Sequence, residues 1–437
     1  MTRVPRRAFA VLLLLPLVVG VAAAGIEERP LRAGSGPLAL AFDEDGMLWV
    51  TLDRAWAVGR YDPASGNLTE HPLTVDRRSE TDELSGIHVA ADAVWTASAT
   101  HLHRVDRATG NVTSYELPTP TDIAGDVIEV GGRVYVAGVT SDKVSVFDPV
   151  NESFTEVAAA GRSGPLGFVE RSGAAYVSLT YSGAVARVGA DGLSVETPGS
   201  TVRGPVGLAW DGEAVWVAEM GSSSVARLTP ATGDVERWPT SPSPFYVISG
   251  PSDVLVDGGK VWFAEHFADR IGLLDPEAGT LVEWMAPSAP GANLQRVALA
   301  PDGNVWFAEW SKDRLGFVTP GVSAAMFPSV PVEIGVPNGT VGRAQVPGVS
   351  SAASESAALK VGVEAGEVAL DARGAAPGAY RVLVSVGDGR LLHGRYVTVT
   401  VTEPVVPPES SDTSALAWGT AALAAVVTGL ASPRRPR

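Results

Sequence analysis

Three glutamates in the second half of the chain end the same short phrase. The runs VWVAE, VWFAE and VWFAE start at positions 215, 261 and 305 and end on Glu219, Glu265 and Glu309. Carboxylates that converge at one rim repel one another, and a bound cation relieves that repulsion. Because proteins hold Mg²⁺ with one or two carboxylates and water, these residues predict a metal or ligand site.

A structural role for the same glutamates is the second interpretation. Arg270 and Arg314 follow Glu265 and Glu309 by five residues, close enough for a local ion pair. Each arginine comes directly after an aspartate of the kind that forms turns. The glutamates would then stabilise the repeat itself, and the sequence leaves both interpretations open.

An aromatic anchor recurs along the chain at near-constant spacing. Around each anchor, alternating apolar residues bounded by Gly, Asp and Pro predict four short strands. Repeats of about 40–45 residues with four strands are typical of propeller blades. We therefore predict an all-β fold whose main part, residues 25–321, is a seven-bladed β-propeller with the anchors in its core. The seven anchors, 40 to 46 residues apart, are Trp49, Trp95, Tyr135, Tyr176, Trp216, Trp262 and Trp306.

Two segments compete to complete the last predicted blade. IEERPL, residues 26–31, has the pattern of a fourth strand with no repeat in front of it. It would pair with the last repeat and close the ring. SAAMFP, residues 323–328, is the alternative fourth strand.

The predicted blades bring further polar side chains to the face of the glutamates. The start of the first strand and the end of the second lie on the same side of the ring. Leu52, Ser98, Gly138 and Leu179 leave blades one to four uncharged at the glutamate position. The residues predicted to contact a substrate on this face are Tyr246, Asp253, Arg270, Arg296 and Arg314, with Lys312 nearby.

Composition excludes several classes of function. The formal charge of −16 argues against nucleic acid as a partner, because phosphate contacts need clustered Lys and Arg. The absence of cysteine excludes disulfides, thiolate zinc sites and cysteine catalysis.

The two ends of the chain predict a location at the cell surface. Residues 1–24 have the basic, apolar and small-residue parts of a secretory signal peptide. Residues 404–414 form a Pro/Ser-rich stalk, 415–431 a transmembrane helix and 432–437 a basic cytoplasmic tail. The tail also resembles prokaryotic sorting signals, although no sortase motif is present. Candidate N-glycosylation sites are Asn67, Asn111, Asn151 and Asn338.

A second β domain is expected between propeller and stalk. Residues 322–403 contain alternating strands such as YRVLVSV and YVTVTVT, without an aromatic anchor. GAAPGAYRVLVSV resembles a segment of immunoglobulin-like surface modules, in which Tyr380 would occupy a corner position. We predict a small immunoglobulin-like β-sandwich.

The repeated phrases also resemble a known family. WFAEWSKDRLG and the GPxG start of the first strands look like the repeat of the streptogramin B lyase (virginiamycin B lyase) family, over about residues 26–320. The resemblance implies a Mg²⁺-assisted elimination that opens a cyclic depsipeptide, with Glu219, Glu265 and Glu309 as metal ligands and a loop histidine as base.

The expected histidine has no counterpart in the chain. The matching loop positions hold Leu38, Ser85, Gly125, Leu166, Val206, Ser252 and Gln295. His266 follows Glu265 directly and is expected to point to the opposite side of the strand. Asp253 is a weak substitute for the base.

Two functions follow from these observations. The first is a surface-anchored propeller that binds or scaffolds an extracellular ligand, glycan or protein and is held to the membrane by one helix. The alternative is a Mg²⁺-dependent carbon–oxygen lyase, or a hydrolase, that acts on a cyclic peptide or depsipeptide. The missing base favours the first.

Overall fold

The computed structural model describes residues 25–79, 82–195, 202–321, 327–330 and 333–403. The predicted signal peptide and the whole segment 404–437, with its predicted stalk, helix and tail, lie outside the described residues. In the part of the chain that is described, no helix has the length and apolar character needed to cross a membrane.

Seven four-stranded antiparallel blades follow one another along residues 26–318; six of them are separate sheets, and blade six is part of a larger sheet. Each blade runs from its innermost first strand to its outermost fourth strand. Neighbouring first strands contact each other around a closed ring, from blade one through blade seven and back to blade one. The strands are β1 (Ile26–Pro30); blade one, β2 (Pro37–Phe42), β3 (Leu48–Leu52), β4 (Ala57–Tyr61) and β5 (Leu68–Pro72); blade two, β6 (Ile87–Val89), β7 (Ala93–Ala97), β8 (His101–Asp106) and β9 (Val112–Glu116); blade three, β10 (Ala124–Val130), β11 (Arg133–Gly138), β12 (Lys143–Asp148) and β13 (Ser153–Ala158); blade four, β14 (Pro165–Arg171), β15 (Ala174–Leu179), β16 (Ala184–Val188) and β17 (Leu193–Val195); blade five, β18 (Pro205–Trp210), β19 (Val215–Glu219), β20 (Ser224–Thr229) and β21 (Asp234–Pro239); blade six, β22 (Pro251–Asp257), β23 (Lys260–Glu265), β24 (Arg270–Asp275) and β25 (Thr280–Met285); and blade seven, β26 (Leu294–Leu299), β27 (Val305–Glu309) and β28 (Arg314–Val318). Short 3₁₀ turns at Met220–Ser222 and Trp310–Lys312 follow the second strands of blades five and seven.

The N-terminal strand completes the last blade, as the IEERPL prediction proposed. β1 pairs antiparallel with β28, from Ile26 opposite Val318 to Pro30 opposite Arg314. Blade seven thus takes its fourth strand from the start of the chain. The competing segment, residues 323–328, falls partly outside the described residues.

The aromatic anchors pack in the core, as the repeat predicted. The five tryptophan anchors expose 3% or less of their surface, because each lies in the middle of a second strand between two neighbouring blades. Several also bind a polar partner through the indole N–H, which Trp49 donates to Asp43 and Trp216 to Asp211, over 2.9 and 2.8 Å.

An aspartate after the second strand joins each of several blades to the next. Asp269 and Asp313, predicted to form turns, adopt positive φ, and Asp142 does the same. The Asp142 carboxylate accepts hydrogen bonds from the N–H groups of Ser163 and Gly164, at the entry to blade four. Asp269 and Asp313 make the same contacts with the entries to blades seven and one.

We expect Asp142→Ala to lower the free energy of unfolding by about 2–3 kcal/mol, because two backbone N–H groups lose a charged acceptor. Urea denaturation measures the change. Asp191, exposed in another turn, is the control, and Asp191→Ala should stay within about 0.5 kcal/mol of wild type. Equal stability of the two variants would show that the inter-blade bonds contribute nothing.

Residues 333–403, here called the C-terminal module, form two sheets around one apolar core. One sheet joins a long hairpin to two further strands, and the other has three strands. The strands are β29 (Glu333–Pro337), β30 (Val341–Gln345), β31 (Val349–Ser354), β32 (Lys360–Glu364), β33 (Glu367–Asp371), β34 (Gly378–Gly387) and β35 (Leu391–Thr402). The Tyr380 hydroxyl donates to the carbonyl of Ala376 over 2.7 Å, a bond of the kind expected for a corner tyrosine.

The C-terminal module extends the sheet of blade six. β25 pairs antiparallel with β35, from Thr280 opposite Arg395 to Trp284 opposite Leu391. Arg381 also stacks on Trp238 of blade five, with its guanidinium 4.4 Å from the ring centre. The outer edge of blade six, which would otherwise present unpaired backbone groups, is therefore covered.

Candidate functional site

The three repeated glutamates are completely buried, each inside its own blade. Glu219 accepts two hydrogen bonds from the Arg237 guanidinium, at 2.8 and 3.0 Å, one from the backbone N–H of Arg203 and one from the Ser222 hydroxyl. Its oxygens therefore have no site left for a cation.

Blade six surrounds its glutamate with a second carboxylate. Glu265 lies on β23, Arg270 on β24 and Glu283 on β25. Burial, and then the nearby Glu283 charge, raise the pKa of Glu265 to about 8. Arg270 donates to the backbone carbonyls of Ser241 and Pro242 instead of pairing directly with Glu265. A proton on this pair of carboxyls removes the repulsion between them.

Blade seven repeats the arrangement with a residue from the far end of the chain. Glu309 accepts a hydrogen bond from the Ser288 hydroxyl, and Glu28 of β1 accepts one from the Ser288 N–H. Arg314 lies 3.4 Å from Glu28. Burial raises the pKa of Glu309 to about 8, and the Glu28 charge adds to the shift.

Strand register explains why the partners differ between blades. Arg237, Glu283 and Glu28 lie on the fourth strands, opposite Ala226, Gly272 and Gly316 respectively. Each of these third-strand residues follows the blade's glutamate by seven positions. Blade five therefore pairs its glutamate with arginine, whereas blades six and seven pair theirs with another carboxylate.

These donors do not fit a Mg²⁺ ion shared by the three blades. Each glutamate turns into its own blade, and the oxygens of Glu219 are already occupied by Arg237. Among the residues that the structure describes, no group of three or more His, Asp or Glu side chains could hold a metal ion. The described geometry gives no support to a common metal site at the rim, and Mg²⁺ binding by these residues stays a prediction.

The central channel holds a second ionic group, which includes two predicted site residues. Asp253 of β22 and Arg296 of β26 lie at the same register position of neighbouring first strands. One Arg296 nitrogen lies 3.4 Å from Asp253 and 3.4 Å from Asp126 of β10. Burial raises the pKa of Asp253 to about 6. Arg296 thus bridges blades three, six and seven across the channel.

Small residues occupy the remaining positions of this ring and leave room for the ion pairs. A Cβ atom on Gly86 would lie 2.2 Å from an Asp126 oxygen, and one on Gly207 would lie 2.4 Å from an Asp253 oxygen. The full ring at this level is Ala39, Gly86, Asp126, Gly167, Gly207, Asp253 and Arg296.

The face on which first strands begin and second strands end, here called the mouth face, exposes apolar side chains. Tyr246 is 56% exposed and packs on Phe267, with ring centres 5.4 Å apart. We call the exposed set the apolar rim: Ile123, Tyr181, Phe245, Tyr246 and Val247. Only Tyr246 was predicted from the sequence.

His266 lies at the mouth face, beside the position where the resemblance predicts a histidine. Its Nδ1 is 3.0 Å from the Gln295 side-chain nitrogen. β23 ends at Glu265, which is fully buried, and His266 is the first residue after the strand. Burial lowers the pKa of His266.

The remaining predicted residues lie apart from the apolar rim. Arg270 is buried and Arg314 pairs with Glu28 in the closing blade. Three sequon asparagines lie in exposed turns between third and fourth strands: Asn67, Asn111 and Asn151. Asn338 is partly buried in the C-terminal module, and glycosylation stays a prediction.

Comparison with known proteins agrees with this architecture. The sequence model of the virginiamycin B lyase family matches residues 24–255, just over half of the chain. The chain belongs to the virginiamycin B lyase family. A comparison with curated proteins found no match.

Solved structures of virginiamycin B lyases share the fold at low sequence identity. A streptogramin B lyase structure is 21% identical with a TM-score of 0.59, and the match covers 68% of this chain and 97% of that one. Selenomethionine-substituted virginiamycin B lyase from Staphylococcus aureus is 19% identical with a TM-score of 0.60, covering 68% and 100%. A catalytically inactive histidine-to-alanine variant of the same enzyme, with quinupristin, is 20% identical with a TM-score of 0.59. The match covers 68% of this chain and 100% of that one.

Proposed function

We propose that this chain is a binding propeller that captures apolar macrocyclic peptides on its mouth face and leaves their rings closed. The observation that carries the proposal is the apolar rim. Of nine large hydrophobic residues exposed in the described part of the chain, five lie at this face. Three of the five are consecutive at 245–247, and a concentration of exposed apolar side chains on one face is typical of an interaction surface.

Three further features support binding over bond cleavage. The glutamates expected to hold a catalytic metal are buried in structural pairs inside blades five to seven. Arg296 crosses the channel below the mouth. The segment 245–247 is held in place, because the Ser243 hydroxyl accepts the N–H groups of Phe245 and Tyr246 and donates to the Phe267 carbonyl.

A lyase is the second candidate function. It is favoured by the position of His266 at the mouth face, where a general base could act. Its lowered pKa keeps the imidazole neutral at pH 7, as a general base requires. It lies at the mouth beside Gln295. Asp253 is less suited to the role, because its oxygens bind the N–H of Val297 and face Arg296.

We further propose that the propeller works outside the cytoplasm, attached to the membrane by residues 415–431. The N-terminal basic and apolar segment, the hydrophobic C-terminal run and the basic end support this location. The net charge of −16 and the lack of cysteine are compatible with it.

Incubation of the full chain with quinupristin tests binding and cleavage together. We expect saturable binding by tryptophan fluorescence and no ring-opened product. Because an elimination that opens a ring leaves the mass unchanged, the product is assayed by chromatography with tandem mass spectrometry. Ring opening that is lost in His266→Ala would establish the lyase instead, and a lack of saturable binding would exclude this ligand class.

We expect a Phe245→Ser/Tyr246→Ser double variant to bind quinupristin at least about tenfold more weakly, because two exposed aromatic contacts are worth about 1.4 kcal/mol or more. The matched control is Val150→Ser, which removes a residue that is 88% exposed in a turn between a third and a fourth strand, on the opposite face. Equal loss of affinity in both variants would show that the apolar rim is not the binding surface.

A further inference from the structure

The segment that carries Phe245, Tyr246 and Val247 is anchored at both ends in the interior of blade six. We call residues 240–249 the mouth loop. At one end, the Ser241 N–H donates to Glu283 over 3.0 Å, and Arg270 donates to the Ser241 carbonyl over 3.2 Å. At the other end, the Ser249 hydroxyl lies 2.6 Å from that of Thr240, and both hydroxyls lie beside the Glu265 carboxyl, whose charged form they stabilise by hydrogen bonding.

These anchors belong to the buried group formed by Glu265, Arg270 and Glu283, here called the anchor cluster. Its members expose 3% or less of their surface. One Glu283 oxygen and the Arg270 Nε have no hydrogen-bond partner among the described residues. The anchor cluster is therefore held in place by its surroundings more than by its own hydrogen bonds, and its geometry depends on what covers it.

The C-terminal module is what covers the anchor cluster. β25, which carries Glu283, is the strand that pairs with β35, and Glu283 lies opposite Leu392. The Ser385 hydroxyl of β34 lies 3.1 Å from that of Ser241, and both residues are fully buried. The Tyr396 hydroxyl donates to the Pro239 carbonyl, directly before the mouth loop, over 2.9 Å.

We propose that the docked C-terminal module fixes the conformation of the mouth loop, so that module docking and ligand capture at the mouth face are coupled. Removing the module from β25 exposes the anchor cluster to water and breaks the Ser241–Ser385 and Pro239–Tyr396 contacts. Arg270 then holds the loop carbonyls in competition with water, and the loop samples other conformations. Because coupling is reciprocal, a ligand that orders the loop also favours the docked module.

The coupling between module and loop stands on these contacts alone, whereas its effect on a ligand rests on the proposed function. Hydrogen exchange separates the two, because it reports loop order without any ligand. The useful amides are those of Ser241, Phe245, Tyr246 and Ser249, each of which donates to a side chain.

The test is hydrogen exchange with mass spectrometry on the full chain and on Leu391→Asp, which places a charge where β35 packs against the blade six core. We expect exchange to quicken at least about tenfold in residues 240–249 as well as in 391–396. Residues 118–123, a mouth-face loop of blade three, should keep their wild-type rate. Ser385→Ala, which removes only the hydroxyl contact, should give a smaller change of the same sign.

Val363→Asp is the matched control, because Val363 lies on β32, in the other sheet of the module, and is 36% exposed. It should leave the mouth loop unchanged. Faster exchange in 391–396 with wild-type exchange in 240–249 would overturn the proposed coupling, as would an unchanged loop in Ser385→Ala. If exchange in 240–249 quickens as expected but the chain binds no quinupristin, the coupling between module and loop is supported and the proposed ligand is rejected.

Discussion

Replacing Arg237 with methionine is expected to lower the free energy of unfolding by about 3–5 kcal/mol, the cost of breaking a buried ion pair from one side. Glu219 is fully buried, and Arg237 supplies two of its four hydrogen bonds. Without that partner, the carboxylate must either stay charged in an apolar interior or take up a proton at neutral pH. Chemical denaturation followed by tryptophan fluorescence measures the loss.

Two variants isolate the cause of this effect. Adding Glu219→Gln to Arg237→Met should recover part of the lost stability, because the buried charge is removed. Arg343→Met removes the pairs of a half-exposed arginine with Glu364 and Glu367 and should cost less than about 1 kcal/mol. If Arg237→Met costs no more than this surface control, the Glu219 pair does not stabilise blade five.

Stability is expected to fall as the pH rises from about 7 to about 8.5. The pKa values of Glu265 and Glu309 are raised to about 8 in the folded chain, so folded carboxyls keep protons that the unfolded chain has already released. Such a contribution is complete below the unfolded pKa and is lost as the pH rises through the folded pKa. Each carboxyl contributes a slope of up to about 1.4 kcal/mol per pH unit.

Histidine titration does not mask this change of the free energy of unfolding between about pH 7 and about pH 8.5. Burial lowers the pKa of His88, His103 and His266, and these histidines are neutral in folded and unfolded chains above about pH 7. A Glu265→Gln/Glu309→Gln variant mimics the protonated carboxyls and should show a flat profile. Glu213→Gln, at an exposed turn, should keep the wild-type slope. If the free energy of unfolding changed equally with pH in all three proteins, Glu265 and Glu309 would not be the groups that hold these protons.

The fold follows from the sequence where a local pattern decides it. The aromatic anchors, their spacing and the turn residues are each read within one repeat, and together they predict the propeller. IEERPL also has the pattern of a fourth strand, and of the two segments that compete for blade seven it is β1 that pairs with β28. These features depend on periodicity, which is visible without any long-range contact.

The roles of the glutamates needed the structure, because their partners lie on other strands. Glu28 meets Glu309 only after the ring closes, although 280 residues separate them along the chain. Arg237 and Glu283 occupy one register position on the fourth strands, a relation that appears only when whole blades are aligned. The local alternative also gave the glutamates a structural role. Its expected partners bind elsewhere, however, because Arg270 donates to backbone carbonyls and Arg314 pairs with Glu28.

The mouth face was also only partly visible in the sequence. The exposure of Phe245 and Val247 depends on how residues 240–249 are anchored, and no periodic pattern reports it. His266 lies at the mouth because β23 ends one residue earlier. Glu265, which was predicted to face the rim, is buried inside its blade.

We infer that the repeated glutamates stabilise the blades and hold no catalytic metal. Calorimetric titration of the full chain with Mg²⁺, beside the Glu265→Gln/Glu309→Gln variant, distinguishes this structural role from metal binding. We expect no saturable heat in either protein. Saturable Mg²⁺ binding to the wild type that disappears in the variant would contradict this inference and would return these residues to a catalytic centre.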